Sequence, residues 1–145
     1  MALIEHTAVS DCTRTHAFGY VDDYRTIPKW MFGVRSFEPV GDVSHGLGAT
    51  FAAAMQIGPK TLRSTLRVTE WIENESLTLS SIDGISTTST WAFSDTDDGG
   101  TRLDVKFAYS LPGGLAGRAL GALVEPVVGQ AIRQTESTLR KQLEA

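Results

Sequence analysis

The chain is poor in the residues that usually announce chemistry. It carries one cysteine, Cys12, and three histidines, His6, His16 and His45, among 145 residues. A lone cysteine excludes an internal disulfide and fits a reducing compartment. No histidine stands at ligand spacing from another histidine, a cysteine or paired carboxylates, so neither a metal nor a cofactor is expected. Basic clusters are missing too. The 13 Lys and Arg are scattered and outnumbered by 17 Asp and Glu, for a net charge of −4. Without a basic stripe, neither nucleic acid nor an anionic membrane surface is an expected partner. Long apolar runs are absent as well. The most apolar region, 111–132, holds Arg118, Glu125 and Pro126, which disfavours integral membrane association. The opening Met1 to Thr7 has no basic segment followed by an apolar core, so no signal peptide is read there and the expected location is the cytoplasm.

What is present is an ordinary globular composition, 41% hydrophobic and 21% charged. The length suits one domain, residues 1–145, able to bury a core without staples. A loosely alternating segment over 2–10 predicts a strand. Ser10 and Asp11 then offer capping side chains for a helix from about Cys12 to Val21, with Asp11 as the expected cap. A short helical turn holds Ile27, Trp30 and Met31.

From Val34 to Leu111 the pattern shortens to extended segments separated by turn residues: 34–40, 49–57, 61–72, 77–82, 85–94 and 102–111. Asp83-Gly84 between two of them is a hairpin signal. The last segment alternates Leu103, Val105, Phe107 and Tyr109 against Arg102, Asp104 and Lys106, the pattern of a half-buried strand. Beyond Pro112-Gly113-Gly114, apolar residues recur every three or four positions through Leu120, Leu123, Val127, Ala131, Thr135 and Leu139. This predicts one long amphipathic helix, with a kink at Pro126.

Short turns between successive strands imply antiparallel neighbours. One long helix is all that can cover seven strands, so the sheet must curl around it. The predicted class is α+β, a curved antiparallel seven-stranded sheet gripping a C-terminal helix, with two short helices after the first strand. A single helix cannot fill the whole concave side, and Ala52-Ala53-Ala54 leaves room in the middle of a strand. The expectation is an apolar pocket lined by Trp30, Phe51, Ala53, Met55, Leu66, Val68, Leu79, Trp91, Phe93, Phe107, Tyr109, Leu120, Val124 and Val127. Trp30 reads first as a wedge packing the short turn against the sheet, and second as a gate or wall of the pocket. Thr and Ser at most positions of 85–94 add hydroxyls that could orient a ligand, and Tyr109 and Trp91 add a phenol and an indole N–H.

The order and spacing of four segments resemble the START-like, or Bet v 1-like (SRPBCC), superfamily, and within it the polyketide cyclase/dehydrase and lipid-transport family. These are Asp23-Tyr24-Arg25-Thr26-Ile27-Pro28-Lys29-Trp30, Val68-Thr69-Glu70-Trp71, Gly100-Thr101-Arg102-Leu103 and Tyr109-Ser110-Leu111-Pro112-Gly113. The resemblance spans nearly the whole chain. It departs at the first helix, where Cys12-Thr13 replaces a frequent Ala-Pro. It implies a helix-grip fold with a deep hydrophobic cavity, but no single reaction.

For catalysis, His6, Glu5, Arg67 and Tyr109 are the candidate acid–base groups, and none forms a constellation by spacing. Cys12 reads as structural, and Gly113 to Arg118 lacks the Gly-Lys-Ser/Thr ending of a phosphate loop. The leading expectation is therefore a protein that binds a hydrophobic small molecule, such as a lipid, polyketide or aromatic metabolite. The alternatives are an aromatase/cyclase- or dehydratase-type enzyme using the same cavity, and an interaction module using the groove. Homodimer formation stays open.

Overall fold

A computed structural model of the chain describes residues 2–57, 59–110 and 113–144; within them, the side chains of Ala2, Ile57, Ala116, Leu120 and Leu123 are not described. Strand β1 (Ala2–Ser10) leads into helix α1 (Arg14–Asp22), a 3₁₀ turn over Tyr24–Thr26 and the one-turn helix α2 (Ile27–Trp30). Six strands follow: β2 (Val34–Pro39), β3 (Thr50–Ile57), β4 (Lys60–Ile72), β5 (Ser76–Asp83), β6 (Ser86–Asp95) and β7 (Thr101–Ser110). Helix α3 (Gly114–Leu143) closes the chain.

The strands form one sheet in the order β1-β7-β6-β5-β4-β3-β2, and every neighbouring pair is antiparallel. This is the helix-grip arrangement the short turns and the single long helix imply. Register shifts between Thr65 and Leu66 and between Val68 and Glu70 on β4, and between Val34 and Ser36 on β2, break the ladders locally. Such irregularities bend and twist a strand, which is what a sheet wrapping a helix requires.

Helix α1 corrects one expectation. It begins at Arg14, and the capping side chain is Thr13, whose Oγ1 accepts from the His16 amide at 3.3 Å. Asp11 is taken up elsewhere: its backbone N–H, like the Ser10 hydroxyl, donates to the Glu144 carboxylate at the end of α3. Helix α3 runs on through Pro126. Proline removes the bond to the carbonyl four residues earlier, and both Pro126 and Ala122 lie on the exposed side. Water can serve the freed carbonyl there, so the helix continues.

The core is densest where α1 and α2 meet the sheet. Phe18 packs edge-on against Trp71 and Phe93, with ring centroids 5.9 and 5.4 Å apart. Trp30 meets Trp91 edge-on at 5.3 Å, and its indole N–H donates to Thr26 Oγ1 at 3.1 Å. Leu139 and Leu143, from the last turns of α3, are buried in the same cluster. The segment after α2 is tied at two points. The Phe32 amide donates to Thr135 Oγ1 at 3.0 Å, and the Gly33 carbonyl accepts from the Gln56 amide at 2.7 Å. Gly33 has a left-handed φ of 75°, and a Cβ there would stand 2.9 Å from the Gln56 carbonyl oxygen. Only glycine lets that segment close down on β3.

Candidate ligand cavity

The inward faces of β6 and β7 change character along their length. On β6 the inward residues run Phe93, Trp91, Ser89, Thr87; opposite them on β7 stand Leu103, Val105, Phe107 and Tyr109. At the Phe93 end, α1 and α2 fill the concave side. At the Thr87 end only α3 covers it, and it presents Val124, Val127, Val128 and Ala131. On β3 the facing residue is Ala53, the middle of the alanine run, flanked by Met55. Short side chains on both walls leave a cavity of about 180 Å³. An apolar cavity of roughly 150 Å³ already admits benzene, so this one can hold a substituted ring.

The wall is almost wholly apolar. Its ionisable residues are Arg63 and Tyr109, with hydroxyls from Ser64, Thr87, Ser89 and Thr135. Arg63 is exposed. Met31 and Phe32, from the segment pinned to Thr135, complete the rim beside α3.

Of the residues expected on the wall, Ala53, Met55, Leu66, Leu79, Trp91, Phe107, Tyr109, Val124 and Val127 stand on it. Four expected there do not. Trp30 lies behind Trp91 and acts as the wedge between α2 and the sheet. Phe51 is stacked on Phe37 at 4.8 Å and packs beside Tyr24. Val68 is buried next to the loop that follows β2, and Phe93 is taken up by Phe18. Phe51, Val68 and Phe93 share the inward alternation of their strands, but they lie at the end covered by α1, the 3₁₀ turn and the loop after β2. The Leu120 side chain lies outside the described residues. Sequence reasoning passed over Phe32, Phe37, Val128 and Ala131, which also line the cavity, and named the hydroxyls of 85–94 only as a group, of which Thr87 and Ser89 stand on the wall. Val128 and Ala131 follow from Val124 and Val127 by the helical repeat, and Thr87 and Ser89 from Trp91 by the strand repeat.

The acid–base candidates are dispersed. His6 faces α3, with Nε2 3.4 Å from the buried Glu136, and neither residue is on the cavity wall. Glu5 and Arg67 are exposed, and Arg67 Nε donates to Thr50 Oγ1 at 3.3 Å. Tyr109 alone reaches the cavity. Among the described residues no group of His, Cys, Asp and Glu could hold a metal ion.

A second space lies outside α1. It is a wider cleft of about 610 Å³ bordered by Asp22, Asp23, Tyr24, Arg25, His45 and Trp71. There Asp22 accepts from the Trp71 indole at 3.0 Å and pairs with His45. The cleft is larger than the cavity, but it is polar and open to solvent. An apolar molecule gains free energy by leaving water, so the smaller, oily chamber is the stronger ligand site. At the cleft edge, hydrogen bonds from the Arg25 side chain hold the Asp23 carboxyl below its ordinary range.

A seven-stranded sheet closed around a C-terminal helix, with an apolar chamber left between them, defines a helix-grip fold. The chain belongs to the polyketide cyclase/dehydrase and lipid-transport family, whose sequence model matches residues 1–144. Solved structures share the fold at low identity. A protein of Thermus thermophilus, TTHA0849, is similar with a TM-score of 0.82 and 17% identity, covering 98% of this chain and 97% of its own. The Zhui aromatase/cyclase of a Streptomyces species, R1128, is similar with a TM-score of 0.80 and 13% identity over 99% and 93%. A START superfamily protein of Mycobacterium smegmatis is similar with a TM-score of 0.79 and 13% identity over 98% and 97%. No curated protein matches the chain in sequence. Among the described residues no helix is long and apolar enough to cross a membrane.

Proposed function

We propose that this chain, acting as one ligand-binding domain over residues 1–145, binds a small hydrophobic molecule in the cavity between α3 and the sheet. The observation that carries the reading is the chamber of about 180 Å³, walled by Trp91, Phe107, Val127 and their apolar neighbours. Burying a ligand's apolar surface there is worth roughly 25 cal/mol per Å² before the costs of association. The family description, which joins cyclase, dehydrase and lipid transport, is compatible with binding as the shared property. A cyclase would need an acid–base pair at the substrate, and His6, Glu5 and Arg67 stand away from the wall. Binding without chemistry is therefore the better supported reading.

Thermal melting with increasing toluene tests it. A ligand that binds only the folded state raises the melting temperature as its concentration passes Kd. The expected result is a saturable, concentration-dependent rise. No rise up to the solubility limit of toluene overturns the reading.

A further inference from the structure

The cavity is not uniformly oily. Apart from Arg63, which is exposed, and Thr135, whose hydroxyl accepts from the Phe32 amide, its polar residues include Thr87, Ser89 and Tyr109, where β6 and β7 pair Thr87 with Tyr109 and Ser89 with Phe107. Ser64 of β4 belongs to the same wall. Among the described residues, the side-chain hydroxyls of Ser64, Thr87, Ser89 and Tyr109 have no hydrogen-bond partner. Tyr109 is only 8% exposed. Buried polar groups are nearly always paired, and leaving one unpaired is costly. Away from the cavity, Thr26, Thr78 and Thr101 are buried and each is hydrogen-bonded, as is Thr135 at its rim, while among the described residues Glu136 Oε1, beside His6, is buried without a hydrogen bond. Ser64, Thr87 and Ser89 are half-buried and Tyr109 is buried, and all four border the chamber, so their hydroxyls are available to pair with an oxygen of a bound ligand.

We infer that the cavity takes a small neutral molecule with one oxygen function, a phenol or ketone built on a single ring. Its oxygen sits toward Thr87, Ser89 and Tyr109, and its ring lies against Trp91 and Val127. The inference rests on the binding reading above and refines it. Hydroxyls both donate and accept, so either a phenol or a carbonyl oxygen satisfies them. Size limits the rest: drug-sized ligands occupy pockets of roughly 300–1,000 Å³, well above the volume here. Charge is disfavoured because a carboxylate would lose its hydration, and Arg63, the fixed charge among the described wall residues, is exposed.

Calorimetric titration with three matched probes, toluene, p-cresol and p-toluate, tests the assignment. The proteins are the native chain, Tyr109→Phe, and Tyr109→Phe combined with Ser89→Ala. A phenol that enters a purely apolar chamber loses its water contacts and gains nothing in return. The native chain should instead bind p-cresol about ten-fold more tightly than toluene. The double variant should lose that advantage, so that the ratio of p-cresol to toluene affinity falls to about one. Toluene binding as tightly as p-cresol to the native chain overturns the assignment but leaves the binding reading standing. So does p-toluate binding more tightly than p-cresol, or a p-cresol advantage that survives in the double variant. No binding of any probe overturns both. Should the tyrosine variants not fold, Thr87→Val with Ser89→Ala asks the same question, and the three native titrations decide by themselves.

Discussion

The two ends of the grip are built from the same sheet and the same helix, yet one is solid and the other hollow. At the first, α1, the 3₁₀ turn and α2 add a third layer, and Phe18, Trp30, Phe93, Leu139 and Leu143 interlock beneath it. At the second, α3 alone faces the strands, and Ala53, Ser89, Thr87 and Ala131 meet across open space. Large side chains cluster where covering elements exist, and small or hydroxyl-bearing ones where they do not. A cavity in this fold is thus an outcome of layer count and side-chain size together. The solid end supplies the stability that lets the other end stay unfilled.

Truncations should show the contrast most strongly. Phe18→Ala removes a ring held by Trp71 and Phe93 and should cost about 3–5 kcal/mol in urea unfolding. Val127→Ala, whose methyls already border a void, should cost about 1 kcal/mol or less. Similar losses at the two sites would break the comparison.

Filling the hollow end sharpens it. Ala131→Leu pushes a larger side chain into the chamber, so stability should hold or rise by about 0.5–2 kcal/mol, while the toluene-induced rise in melting temperature disappears. A clear loss of stability would mean that the space is already occupied by packing.

The smallest effect concerns the rim of the solid end. Asp23 accepts from the Arg25 amide at 3.0 Å and from its guanidinium at 2.9 Å. Its carboxyl is held low in the folded state, so the contribution is complete above the unfolded value of about 3.9. It fades as pH falls through the lower folded value. Asp23→Asn should therefore cost under about 1 kcal/mol at pH 7, and the two proteins should converge in stability as the pH falls below the range in which the folded carboxyl ionises. A difference that grows toward acid would reverse that sign.

Much of this architecture is legible in the chain. The alternation of Leu103, Val105, Phe107 and Tyr109, the turn at Asp83-Gly84 and the stripe from Val127 to Leu139 give strand, hairpin and helix, since each period reflects a local geometry. Wall residues are harder to read. Phe93 and Trp91 are equivalent by alternation, and only the docking of Phe18 from a helix some 70 residues earlier separates core from cavity. Register has the same limit. His6 and Glu5 are adjacent in sequence, and only the position of Glu136 on α3 shows that His6 is the one turned inward. The Thr13 cap was open to local reasoning, but Asp11, an equally good capping residue, stood two positions before it.

Xenon enters dry apolar cavities and is visible by its scattering, so a crystal held under xenon pressure asks the central question without any choice of ligand. A xenon atom is expected among Ala53, Trp91, Phe107 and Val127, and none within the Phe18–Trp71–Phe93 cluster. An empty, side-chain-filled space at the first position, or xenon lodged at the second, would contradict it.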